Sequence, residues 1–171
     1  IPKASQIAMF SATMSEDSIN SARKLVRNDP PYVEVLLEDG EVSLEGIAQY
    51  KVSLSDSDSI DIDQIKLSVL YDLYKQLSVT RCIVFANTRK RAEWVGQQLR
   101  QQNHSVSILH GDLSKEERVY VEQQFRTGET RILVSSDLLS RGFDIHDLSL
   151  VVNFDMPTGN MALETYIHRV G

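Results

Sequence analysis

The chain is poor in the residues that announce most chemistries. Its 171 residues hold a single cysteine, Cys82, and a single tryptophan. One cysteine cannot close an internal disulfide, so a reducing compartment is expected. Cys82 also lies inside an apolar run, where it reads as a small buried hydrophobe rather than a nucleophile. No apolar stretch approaches the roughly 20 residues that span a bilayer. No signal-like segment opens the chain. The eight glycines stand at 40, 46, 96, 111, 128, 142, 159 and 171. That spacing leaves no G-x-G-x-x-G, which counts against a dinucleotide-binding fold. No glycine precedes a lysine, so a Walker A phosphate loop is missing, and no G-x-S-x-G marks a hydrolase nucleophile. No His, Cys or carboxylate set has metal-ligand spacing, so no metal is expected.

What remains is an ordinary globular composition, 42% apolar and 25% charged, enough for one domain with a sizeable core. The net charge of −6 argues against indiscriminate polyanion binding. It is unevenly placed. Residues 34 to 63 hold nine acids against one base, Lys51, and carry −8. The balance elsewhere is mildly basic, so an anion site is not excluded there. Ile1 in place of Met leads us to read the chain as a piece of a longer protein.

Hydrophobic periodicity sketches the organisation. Gln6 to Phe10 reads as a buried strand. Ser15 caps a helix through Ile19, Ala22 and Val26, and Tyr32 to Leu37 reads as a second strand. The acidic stretch to Gly46 is a linker or exposed loop. Ala48, Tyr50, Val52 and Leu54 alternate with polar residues as in a half-buried edge strand. Ile62, Ile65, Val69, Leu73 and Leu77 form a helical stripe. Strands at Arg81–Ala86, Ser105–Leu109, Arg131–Val134 and Leu150–Phe154 then alternate with helices. Thr88 caps one helix. Ser114 with Glu117 makes a capping box for another, which Gly128 closes, and Asp137 opens a short third. A last helix runs from Met161 to Val170. This alternation implies an α/β fold, a mainly parallel sheet with helices on both faces. Sites in such sheets lie at the carboxyl ends of strands.

Three strand ends carry chemistry. Asn87, Thr88, Arg89, Lys90 and Arg91 place bases at a helix start, which suits a phosphate, although a capped helix with a solvated first turn fits equally. His110, Gly111 and Asp112 include a glycine that admits close backbone approach. Ser135 to Asp144 offers hydroxyls at a helix start, the pair Arg141-Gly142, and Asp144 as an acceptor for a sugar hydroxyl.

Taken in order, these segments resemble the DEAD-box RNA helicases. Ser11-Ala12-Thr13 matches motif III. Ile83 to Thr88 is similar to motif IV, and His110-Gly111-Asp112 through Arg118 to motif IVa. Ser136 to Asp144 resembles motif V. Tyr166 to Gly171 matches the opening of motif VI. Ser43 to Ile47, Asn87-Thr88-Arg89 and Glu93-Trp94 resemble the translation initiation factor 4A subfamily. The resemblance implies a RecA-like three-layer sandwich. Residues 1–37 would be the end of a first RecA-like domain, 38–46 the interdomain linker, and 47–171 a second domain cut within motif VI.

The family roles then follow by position. Asn87, Thr88, Arg89, Gly111 and Ser136 would hold single-stranded RNA through phosphates and sugars, independent of sequence. Ser11, Thr13, Gly142, Asp144, His168 and Arg169 would serve ATP and the interdomain face. Arg118, Asp137 and Arg141 would support the motif V loop, Arg118 by pairing with Asp137. Lys115, Ser136, Ser140 and Phe143 depart from the family's Gln, Thr, Ala and Ile. Catalytic arginine fingers would lie beyond Gly171. The full enzyme would use ATP and Mg²⁺ to unwind RNA locally, in translation initiation or mRNA metabolism. The chain alone is expected to be inactive and to hold neither cofactor. Its expected partners are RNA, the first RecA-like domain and a protein scaffold, in the cytoplasm or nucleus. The competing reading is a non-enzymatic module docking to such a scaffold.

Overall fold

The structure is a computed structural model describing residues 5–11, 14–26, 33–35, 46–54, 61–136 and 145–170. It divides into two compact units, Ile1–Ala48 and Gln49–Gly171.

The described part of the first unit has one regular element, α1 (Glu16–Leu25). Ser15 caps it as expected, its hydroxyl accepting from the Ser18 N–H at 3.3 Å. No residue of this helix is buried. Arg23 forks onto Glu34, at 2.8 and 3.1 Å. The expected strand at Gln6–Phe10 is not formed, and Val33 to Val35 is not paired either. A strand exists only through the ladder of a neighbour, and among the described residues neither segment has one. Phe10 is accordingly 94% exposed.

The second unit holds α2 (Ile62–Gln76), β1 (Arg81–Phe85), α3 (Arg89–Gln101), β2 (Val106–Leu109), α4 (Lys115–Thr127), β3 (Ile132–Ser135), β4 (Leu148–Asn153) and α5 (Ala162–Val170). Before them, 46–54 runs without regular structure, so the edge strand expected there is also absent. Tyr50 and Val52 are exposed. The alternation at Ala48 to Leu54 is real, but no ladder partner is present among the described residues.

The four strands form one parallel sheet in the order β2-β3-β1-β4. The path moves outward from β1 to β2 and returns to β3. Right-handed crossovers therefore put α3 and α4 on opposite faces. The core divides accordingly. Even-numbered side chains Cys82, Val84, Val106, Ile132 and Val134 meet Ala92, Val95 and Leu99 of α3 and Leu67 and Leu70 of α2. Odd-numbered Ile83, Phe85, Leu109 and Leu133 meet Phe125 of α4. The strands thus read as continuous apolar runs because both faces are covered.

Local chemistry sets the boundaries. Thr88 Oγ1 accepts from the Arg91 N–H at 3.3 Å to start α3. Ser114 and Glu117 form the reciprocal box at α4, at 2.7 and 3.1 Å. Gly128 ends that helix at φ 82°, a left-handed conformation that costs glycine little. Gly96 has a packing reason: a Cβ there would lie 2.5 Å from the Ile108 side chain, so α3 sits close on β2. The stripe expected on α2 is rotated. Ile62 and Leu77 are exposed, whereas Leu67 and Leu70 are the residues sealed in the core.

Candidate nucleic-acid interface

The sheet register brings the expected strand ends to one edge. Leu109 pairs with Ser135, and Ser135 with Phe85. The ladder then runs one step further: Ser136 N–H donates to Leu109 O at 3.1 Å, and Ala86 N–H to Ser135 O at 3.0 Å. Past that step the chains leave the sheet side by side, as His110-Gly111, Ser136 and Asn87. At about 4.8 Å per strand, Gly111 and Asn87 flank Ser136 across roughly 10 Å. Asp155 follows β4 at the same edge.

Each position is held from within. Asn87 is fully engaged: its Nδ2 donates to Met156 O at 2.7 Å, and its Oδ1 accepts from Arg169 Nη2 at 3.0 Å. Its backbone N–H donates to Asp155 Oδ2 at 3.2 Å. Arg118 donates to Gly111 O at 2.6 Å and Leu113 O at 3.0 Å, stiffening the turn after β2. Its expected partner Asp137 lies outside the described residues, as do Thr13, Arg141, Gly142 and Asp144. Ser11 is described and exposed, in the first unit. The Lys115 ε-ammonium belongs to the exposed first turn of α4.

Arg169, expected at the interdomain face, is engaged within its own unit. It is 5% exposed, and its Nη1 donates to Asn153 Oδ1 at 2.9 Å and Asp155 O at 2.7 Å. Its guanidinium lies 5.1 Å from the Phe85 ring centroid. Three oxygen acceptors and an aromatic face at the strand ends draw the side chain inward. His168 stays on the surface, 3.7 Å from Glu164.

The basic triplet at the start of α3 is not a free anion trap. Arg91 forks onto Asp63, at 2.8 and 3.0 Å, and onto the buried Asp155, at 2.5 and 2.8 Å. Lys66 reaches Asp155 at 3.0 Å. The hydrogen bond from Arg91 leads in holding the Asp63 carboxyl below its ordinary value. Burial pushes the Asp155 carboxyl up, but Arg91 and Lys66 outweigh it and leave it lowered. Arg89 is engaged as well, by Asp112 and by Glu93 Oε1 at 3.3 Å. Arg91 is thus neither a free phosphate site nor the solvated first-turn base of the bland reading. Asp155 carried no motif signal, although Asp155-Met156-Pro157 closes the fourth strand at the same edge. Inspecting all four strand ends would have found it. His104 and His110 stand at opposite ends of β2, and His104 packs on Tyr74. Among the described residues no group of three His, Cys, Asp or Glu could hold a metal. No described helix is long and apolar enough to cross a membrane.

These features define an α/β domain with a parallel sheet, helices on both faces, and polar and basic side chains along its carboxyl edge. A family model described as the helicase conserved C-terminal domain matches residues 65–171. The chain belongs to that family, and its relatives are DEAD-box RNA helicases. It is 42% identical over 171 residues to a Saccharomyces cerevisiae protein named ATP-dependent RNA helicase FAL1, covering all of this chain and 40% of that one. A probable eukaryotic initiation factor 4A of Trypanosoma cruzi is 40% identical over 171 residues, covering 100% of this chain and 39% of that protein. The structure of S. cerevisiae Dbp5 bound to RNA and ADP BeF3 superposes with a TM-score of 0.79 at 34% identity, over 99% of this chain and 42% of that one. The fold is RecA-like, and the chain spans about two fifths of the relatives it matches.

Proposed function

We propose that this chain is the RNA-gripping half of an ATP-dependent RNA helicase that opens short duplexes in translation initiation or mRNA metabolism. One observation carries the reading. Gly111, Ser136 and Asn87-Thr88-Arg89 emerge from three adjacent strands onto one edge, by register rather than by chance of folding. A row of backbone groups, a hydroxyl and a guanidinium about 10 Å long suits a sugar-phosphate strand. Asn87 acts by shaping the turn, since its own amide is occupied. The relatives' names, and the RNA in the Dbp5 complex, support the same class.

Gly142 and Asp144, the positions matched to ATP, lie outside the described residues. Among the described ones Arg169 is committed to Asn87, Asn153 and Asp155, and does not fit a phosphate. With Mg²⁺ and the first RecA-like domain, the whole enzyme would supply ATP hydrolysis.

Titration of a labelled single-stranded RNA at two salt concentrations tests the proposal. Affinity should be weak, fall modestly as salt is raised, and be equal for unrelated sequences. Affinity indifferent to salt, or restricted to one sequence, overturns it. The scaffold-docking alternative rests on Val119 and Tyr120, exposed on α4. It gains ground only if RNA binding is absent.

A further inference from the structure

Within the RNA reading above, on which this inference rests, the cation best placed for a phosphate is already occupied by the chain's own carboxylates. Arg89 opens α3 directly after the β1 edge. Its Nη1 donates to Asp112 Oδ2, across the sheet in the turn after β2. Its Nε lies 3.3 Å from Glu93 Oε1, one helical turn along. The same Glu93 oxygen is 3.4 Å from His110 Nε2, which keeps that carboxylate beside the strand ends. The two side chains of the Arg89–Asp112 pair are 44% and 62% exposed, so an incoming anion can reach the guanidinium.

We propose that Asp112 is an internal competitor for the RNA phosphate at Arg89 and thereby sets RNA affinity. A carboxylate and a phosphate present similar oxygen pairs to a guanidinium, so one exchanges for the other without new geometry. The tethered carboxylate acts at high effective concentration. A lone phosphate must displace it unaided. A polynucleotide also anchored at Gly111 and Ser136 displaces it as an intramolecular step. The clamp therefore selects for polymer over free phosphate and takes the guanidinium back as the strand leaves. Asp112 touches RNA in neither state, so its effect passes through Arg89.

The test uses the 171-residue chain, a labelled single-stranded RNA, and the variants Asp112→Asn, Arg89→Gln and their combination. Asp112→Asn should tighten binding about threefold to fivefold at low salt, the scale of an exposed ion pair. Arg89→Gln should weaken binding and erase the gain from Asp112→Asn. Wild-type binding with no gain in Asp112→Asn overturns the inference and leaves the RNA reading intact. An equal gain in the Arg89→Gln background also overturns it, because removal of any acid would then suffice. No RNA binding by any variant overturns the RNA reading and the inference with it. A readout without RNA separates the clamp itself: Asp112→Asn should move the Arg89 Nη–H resonances and speed their exchange. Unmoved resonances contradict the contact.

Discussion

At the residue scale, the chain's lone thiol and its buried polar groups behave as their surroundings dictate. Cys82 is sealed near the start of β1, and burial pushes its thiol up to about 12. A native-state thiol assay should therefore show no reaction at neutral pH until the protein unfolds. Rapid labelling of folded protein contradicts this placement. Asn87 shows how a residue can be legible while its use is not. Its position after an apolar strand marked it as a site residue. Its three hydrogen bonds depend on Asp155, Met156 and Arg169, which are 68, 69 and 82 residues away. No local pattern could reveal them. Asn87→Ala should lower stability by about 1–2 kcal/mol, since it leaves the buried Arg169 short of an acceptor, and chemical denaturation measures this.

At the scale of elements, caps and periods were readable because they are local. Thr88, the Ser114–Glu117 box and Gly128 all stand where the sequence places them. The α2 stripe was misread for a physical reason: this helix is apolar on more than one side, and only the sheet decides which side is buried. Leu67→Ala should cost about 3 kcal/mol, against a few tenths for Ile62→Ala, measured by denaturant midpoint. Equal costs would restore the sequence stripe. The junction of α2, α3 and β4 makes a second prediction. The folded-state carboxyls of Asp63 and Asp155 are lowered from 3.8 by Arg91 and Lys66. The stability they lend is thus fully present above the unfolded value and lost as pH falls through the lowered folded values. A stability–pH profile should decline below about pH 4. Asp155→Asn should flatten that decline while lowering stability near neutrality by about 2 kcal/mol or more, because Arg91 and Lys66 lose a buried partner.

At the scale of the molecule, the net charge of −6 is a poor guide to binding. Most of the bases that the sequence places at the strand ends are paired: Arg91 with Asp63 and Asp155, Arg89 with Asp112 and Glu93. The edge is therefore less basic than its sequence, and any grip on RNA comes from a row of aligned groups more than from excess charge. The parallel sheet was legible from continuous apolar runs alternating with helices. The strand order was not, because register is a long-range property. It is this order, with β3 between β1 and β2, that aligns Asn87, Ser136 and Gly111. The strands expected at Gln6–Phe10 and at 47–54 were misjudged because pattern alone cannot supply a pairing partner. The most direct test of the central claim is backbone NMR of the chain titrated with a short single-stranded RNA. The account predicts the largest amide shifts at Asn87 to Arg89, Gly111 and Ser136, fading as salt is raised. Shifts centred instead on Val119 and Tyr120 of α4, with those strand ends unmoved, would contradict it.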